Sequence, residues 1–144
     1  MRINGEWSVG DDGMVRPTLR GEILAADGSW VQAPFLVDTG ADCTVLSASV
    51  WTALGFHPSV TGERLGGVGG VTETVGVDTR IQMVSEDRGV VVFRGRYAAF
   101  TQLEALDMSV LGRDILRLFA VIVDQPAGRV SLLRDRHRYT IEHG

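Results

Sequence analysis

The residues best placed to do chemistry lie in one run of the 144-residue chain, Phe35-Leu36-Val37-Asp38-Thr39-Gly40-Ala41-Asp42-Cys43-Thr44-Val45-Leu46. A strongly apolar strand runs straight into Asp38, so its carboxylate is expected at the end of a buried strand, rigidly held and with little room for water. A carboxylate held this way can exchange protons with a water molecule or a substrate. Thr39 supplies a hydroxyl, and Gly40 lets the backbone turn sharply and pass close to a ligand. Taken alone, Asp-Thr-Gly is also an ordinary turn after a strand. Two further segments shift that balance. In Gly66-Gly67-Val68-Gly69-Gly70, Val68 lies 30 positions after Asp38. Four glycines around one valine, between strand-like flanks, read as a hairpin tip with exposed backbone. In Ser109-Val110-Leu111-Gly112-Arg113-Asp114, Arg113 lies 75 positions after Asp38. That run reads as an apolar strand, a glycine, and a charged pair opening a helix whose dipole favours Asp114.

Other reactive residue types offer less. Cys43 as a nucleophile would need a histidine beside it, and His57, His137 and His143 have no evident relation to it. It reads as a small buried hydrophobe. The three histidines are too dispersed for a metal set, and no cofactor is expected. Arg134-Asp135-Arg136-His137-Arg138 reads as a solvated tail. Trp7, Trp30 and Trp51 read as packing residues, with Trp7 suited to dock at a partner subunit.

The elements that must position Asp38 follow from local pattern. Residues 1–13 are polar and rich in Gly and Asp, which gives a loose N-terminal arm or a short edge strand. Residues 14–24 and 30–37 are strand-like runs around Asp27-Gly28, a hairpin signal. Residues 47–55 read as a short helix, with Ser47 as N-cap, Val50, Trp51 and Leu54 on one face, and Gly55 as a left-handed stop. Residues 62–84 and 89–100 are strand-like, and 109–111 a short buried strand. Residues 113–119 carry Ile115, Leu116 and Phe119 at helical spacing. Residues 120–123 and 129–133 flank a second hairpin turn. No internal repeat and no linker divides the chain, so residues 14–144 are expected to form a single domain. The class is mostly β, a small closed barrel with one or two short helices.

Composition bounds the rest. Hydrophobic residues make up 44%, enough for a real core, and the net charge is −4. Mild acidity argues against a nucleic-acid partner held through broad positive charge. One cysteine allows no internal disulfide, which suits a reducing compartment. No apolar run reaches the ~20 residues of a membrane-spanning helix, and residues 1–10 lack the apolar core of a signal peptide. The expected location is cytoplasmic.

Taken in order, the three segments resemble the retropepsin-like aspartic proteases, single-lobe enzymes of the retroviral type and their bacterial relatives. The matching pieces are the apolar run into Asp38-Thr39-Gly40-Ala41-Asp42, the flap-like residues 66–70, and Val110-Leu111-Gly112-Arg113-Asp114. The resemblance spans about residues 18–133. It implies an acid-protease barrel and an aspartic endopeptidase with Asp38, Thr39 and Gly40 as its catalytic motif.

Peptide hydrolysis by water needs a base and an acid, and two carboxylates sharing one proton supply both. The sequence has a single Asp-Thr-Gly, so the second carboxylate must be Asp38 of another copy, across a two-fold axis. The resemblance implies that Thr39 bonds across this homodimer. It places Gly40, Ala41, Asp42, Gly67, Val68 and Gly69 against an extended polypeptide substrate, with the flap closing over it. It also implies an ion pair between Asp42 and Arg113 that braces the loop. The distance from Asp38 to the flap is longer than in the retroviral enzymes, and the helix at 47–55 fills it. The competing reading is a non-catalytic module of the same fold that dimerises or binds peptides.

Overall fold

The computed structural model describes residues 1–57, 63–67, 70–103, 108–134 and 142–144. For 63–67 and 70–72 it describes the backbone. Among the described residues the strands and helices run β1 (Arg2–Asn4), β2 (Glu6–Val9), β3 (Val15–Leu24), β4 (Trp30–Val37), β5 (Val45–Leu46) and α1 (Ala48–Leu54). They continue β6 (Glu63–Gly67), β7 (Gly70–Val84), β8 (Val90–Phe100), β9 (Ser109–Leu111), α2 (Arg113–Leu116), β10 (Ala120–Asp124) and β11 (Arg129–Leu133).

Alternation shapes the long strands. In β4 Ala33, Phe35 and Val37 are buried while Gln32 and Pro34 face outward, and in β7 Val75, Val77, Ile81 and Met83 are buried. That period of two lets one face of each strand close on the core. Leu19, Ile23, Phe35, Leu46, Ile81 and Leu111 are fully enclosed there. Phe93 and Phe119 meet edge to face, with ring centroids 6.0 Å apart. Phe119 thus packs on the core from beyond α2, which is shorter than the helical spacing of 113–119 suggested.

Eight strands form one sheet in the order β2-β3-β4-β9-β5-β8-β7-β6, and β3 also pairs with β7 through Glu22↔Gln82 and Ile23↔Ile81. The expected mostly-β architecture is therefore present. The sheet curls into a ring joined by two residue pairs and is not a formally closed barrel. A second sheet has the order β1-β11-β10.

Residues 1–13 carry β1 and β2. Ile3 is 1% exposed, and Gly5 N donates to Val130 O at 2.8 Å. Burial of Ile3 and the ladder to β11 hold this segment down. Trp7 likewise docks on its own chain: its indole Nε1 lies 3.3 Å from both Asp124 O and Arg129 O.

The helix α1 has the caps its sequence specifies. Ser47 Oγ accepts from Val50 N, and Gly55 ends the helix at φ 68°. A left-handed residue at that position favours glycine.

Candidate active site

The strands β4 and β9 lie parallel, with Phe35↔Ser109, Leu36↔Val110 and Val37↔Leu111 as partners. Parallel neighbours release their chains at the same edge. The loop from Asp38 and the turn at Gly112 therefore leave the sheet side by side, although they are far apart in sequence. Backbone bonds fasten them: Asp38 N donates to Leu111 O at 3.2 Å, and Arg113 N donates to Ala41 O at 2.9 Å.

Asp38 is half-buried, while Thr39 and Gly40 are exposed. The Asp38 Oδ1 accepts from Gly40 N at 2.9 Å, and Ala41 N donates to Asp38 O at 3.2 Å. A Cβ on residue 40 would stand 3.2 Å from that same Oδ1. The loop thus wraps around its own carboxylate, leaving the second oxygen as the more available acceptor.

Arg113 Nη2 donates to Asp42 Oδ1. Both side chains are largely exposed, at 57% and 84% of their surface. In water such a pair contributes little to stability. Its backbone counterpart, Arg113 N to Ala41 O, holds the same two segments without screening.

A second link is deeper. Thr44 is 1% exposed, its Oγ1 donates to Asp114 Oδ1 at 2.7 Å and accepts from Gly112 N at 3.1 Å. Asp114 Oδ1 also accepts from Ile115 N at 3.0 Å. Beside it, Ser47 N donates to Ser109 Oγ at 3.0 Å. Gly112 passes so close to Cys43 that a Cβ there would lie 2.3 Å from the Cys43 carbonyl carbon. Only glycine fits that crossing. Cys43 itself is half-buried and in no disulfide.

Thr44 and Asp114 carry no role in the sequence reading beyond the helix dipole. One signal was available: a threonine inside the apolar run that follows Asp42 must bury its hydroxyl, and a buried hydroxyl needs a partner.

The glycine-rich segment forms an antiparallel hairpin. Strands β6 and β7 pair from Glu63↔Thr74 to Gly67↔Gly70. Gly67 closes the described part of β6, whereas Val68 and Gly69 lie outside the described residues. The hairpin is at the far edge of the eight-stranded order from β2.

Burial lifts the Tyr97 phenol to about 12, and the Asp114 carboxylate adds to the effect. Among the described residues, no group of three or more His, Cys, Asp or Glu could hold a metal ion. Nor is any helix among them long and apolar enough to cross a membrane.

Known proteins resemble this chain in sequence and fold. A family model described as aspartyl protease matches residues 23–115, from the end of β3 through α2. The structure of the EIAV protease complexed with the inhibitor HBY-793 is 30% identical, with a TM-score of 0.51 over 71% of this chain and 86% of that one. A retropepsin-like aspartic protease from Rickettsia conorii is 19% identical, with a TM-score of 0.60 over 92% of this chain and 89% of that one. The second likeness bears on the fold alone. No curated protein sequence matches the chain. With the Asp38 loop, the Gly112 turn and the β6–β7 hairpin all inside the matched residues, the chain belongs to the aspartyl protease family, in its retropepsin-like form.

Proposed function

We propose that the chain is an aspartic endopeptidase that acts as a homodimer, with one Asp38 from each copy. The observation that carries this reading is the half-buried Asp38 carboxylate, bonded by Gly40 N at the end of a core strand and clamped to the Gly112 turn. One such carboxylate cannot be base and acid together. Two facing copies can, because like charges a few ångströms apart do not both ionise and the pair keeps one proton.

In this mechanism a water lies between the two carboxylates. The ionised one takes its proton as the water oxygen attacks the scissile carbonyl carbon. The protonated one gives its proton to the carbonyl oxygen. The tetrahedral gem-diol then collapses: the C–N bond breaks as the carboxyl that took the water proton gives it to the amine nitrogen, one gem-diol hydroxyl returns its proton to the other carboxylate, and an acid and an amine leave with the dyad again holding one proton. Thr39, exposed in one copy, bonds to the partner loop, and Gly40, Ala41 and Asp42 offer backbone and side-chain groups to an extended substrate. The β6–β7 hairpin, paired as far as Gly67↔Gly70, serves as a flap that covers the substrate and excludes water. The pair of Arg113 and Asp42 braces the loop.

The second copy docks along β10. Among the described residues β11 is flanked on both sides, whereas β1 and β10 are the edges of the sheet, and of the two edges β10 carries the longer apolar run. An open edge of this kind is a template for another strand. Val123 in β10 is 45% exposed, and Leu118 just before the strand is 54% exposed. Of the two strands of the C-terminal hairpin, β10 therefore carries the proposed interface.

The test is sedimentation of the full chain at several concentrations, beside cleavage of an unbiased peptide library over about pH 4 to 7. A dimer with cleavage that disappears in Asp38→Asn is the expected result. A stable monomer that cuts nothing, or cleavage retained by Asp38→Asn, would overturn the mechanism.

A further inference from the structure

Away from Asp38 the ring of strands carries a cavity of about 550 Å³. It lies at the turn end of the β3–β4 hairpin, where Leu24 pairs with Trp30. Asp38 follows the other end, eight residues of strand from Trp30, or roughly 26 Å along an extended chain. Leu24, Ala25 and Phe56 form an apolar wall, and Arg80, Arg94 and Arg96 a basic one.

The basic wall has unusual pairing. Arg80 and Arg94 are direct partners across β7 and β8, and both are exposed. Like charges directly opposite each other disfavour an antiparallel pair. Among the described residues, neither guanidinium has an ion pair or a hydrogen bond. The next pair on the same face is Asp78 and Arg96, joined at 3.6 Å. Arg96 is also placed by Gly76, where a Cβ would come within 2.6 Å of its Nε and Nη2. A glycine weakens the interior of a strand, and here its missing side chain is the space that the guanidinium fills.

The other polar groups of the wall are already committed. Thr79 Oγ1 donates to Leu24 O at 2.6 Å. Ala25 N donates to Ser29 O at 2.8 Å, and Ala26 N to Leu54 O at 2.9 Å. What the cavity offers a ligand is therefore the guanidinium N–H groups of Arg80 and Arg94, beside an Arg96 already paired with Asp78, in a chain of net charge −4.

We propose that this cavity is a second binding site that takes an acidic segment of polypeptide, with Asp or Glu carboxylates on Arg80 and Arg94. A guanidinium presents a planar fork of donors that matches a carboxylate in two parallel bonds. A carboxylate between Arg80 and Arg94 also removes their mutual repulsion. The apolar wall of Leu24, Ala25 and Phe56 selects peptide over a bare inorganic anion, because the stem of the acidic side chain or an apolar neighbour covers it. The site is complete in one copy of the chain and uses none of the Asp38 loop.

The experiment uses the full chain carrying Asp38→Asn, so that no probe is cut, and a fluorescein-labelled Glu-Leu-Glu-Leu-Glu peptide followed by anisotropy. Saturable binding is expected, weakening as salt is raised. It should fall on the order of tenfold or more in the Arg80→Gln/Arg94→Gln double variant, as two charge-assisted contacts are lost. Arg80→Lys/Arg94→Lys, which keeps the charge and loses the fork, should bind at an intermediate level. The Gln-Leu-Gln-Leu-Gln peptide should not bind. Equal binding by the glutamine peptide or by the double variant would overturn the site. Displacement of the peptide by an equal concentration of inorganic phosphate would overturn its assignment to peptide.

Discussion

Thr44 and Asp114, 70 residues apart in sequence, share a 2.7 Å hydrogen bond beneath the Asp38 loop. The same hydroxyl receives the Gly112 N–H at 3.1 Å, so a single buried threonine ties the loop to both the end of β9 and the start of α2. The Thr44→Val variant keeps the shape and removes both bonds. It leaves the buried Gly112 N–H without its acceptor, which costs about 1–3 kcal/mol. Urea unfolding should show that loss, with a midpoint shift and an unchanged slope.

Arg113→Gln should behave differently. Its ion pair with Asp42 is exposed, and such pairs contribute about 0–1 kcal/mol. The melting temperature should therefore move little, and less still at high salt. The backbone bond from residue 113 to Ala41 remains in the variant. If the pair orients Asp42 toward substrate, kcat/KM falls while the fold stays intact. A large loss of stability would instead make Arg113 a structural residue first.

Val123→Asp probes the proposed docking edge. Val123 is 45% exposed in the single chain, so the change spares the core. In a dimer built on β10 it brings like charges together across the two-fold axis. The dissociation constant should rise on the order of tenfold or more, read by sedimentation. Cleavage should fall in step with the dimer population and recover at high protein concentration.

Tyr97 supplies an alkaline signature. The folded protein holds its phenolic proton up to about 12, against an ordinary value of 10.0. A raised value means that the folded state binds this proton more tightly than the unfolded one. Tyr97 therefore leaves stability unchanged below about pH 10 and lowers it as pH rises from there toward about 12, where only the unfolded chain has ionised. Tyr97→Phe should remove that decline. It also loses the 3.0 Å bond from the phenol to Phe93 O, at about 1 kcal/mol near neutral pH. Chemical denaturation across the alkaline range measures both effects.

What the sequence made legible was local. Ser47 and Gly55 bound α1 because a cap bonds within its own turn, and the run of 30–37 reads as a strand because it is apolar and follows the Asp27-Gly28 turn. The Asp38 motif was legible because its three residues are contiguous. The bonds that hold it were not, because Thr44 meets Asp114 only after β4 and β9 come to lie parallel. The contacts of Trp7 were not legible for the same reason: its backbone acceptors, Asp124 O and Arg129 O, lie more than a hundred residues away, and no local pattern names them. The short α2 was overread because Ile115, Leu116 and Phe119 do share a burial direction, but Phe119 reaches the core from the turn beyond.

The pairing of β1 with β11 joins residues such as Asn4 and Ser131, 127 positions apart. Contacts of such long range are slow to form, because the intervening chain must first be gathered in. During synthesis Ile3 therefore has no strand to pair with until β11 has left the ribosome. The small sheet that exposes β10 is then among the last parts of the molecule to assemble. In the proposed dimer along that edge, this order of assembly would act as a delay: a growing chain would carry its Asp38 loop for some time before it had the means to find a partner.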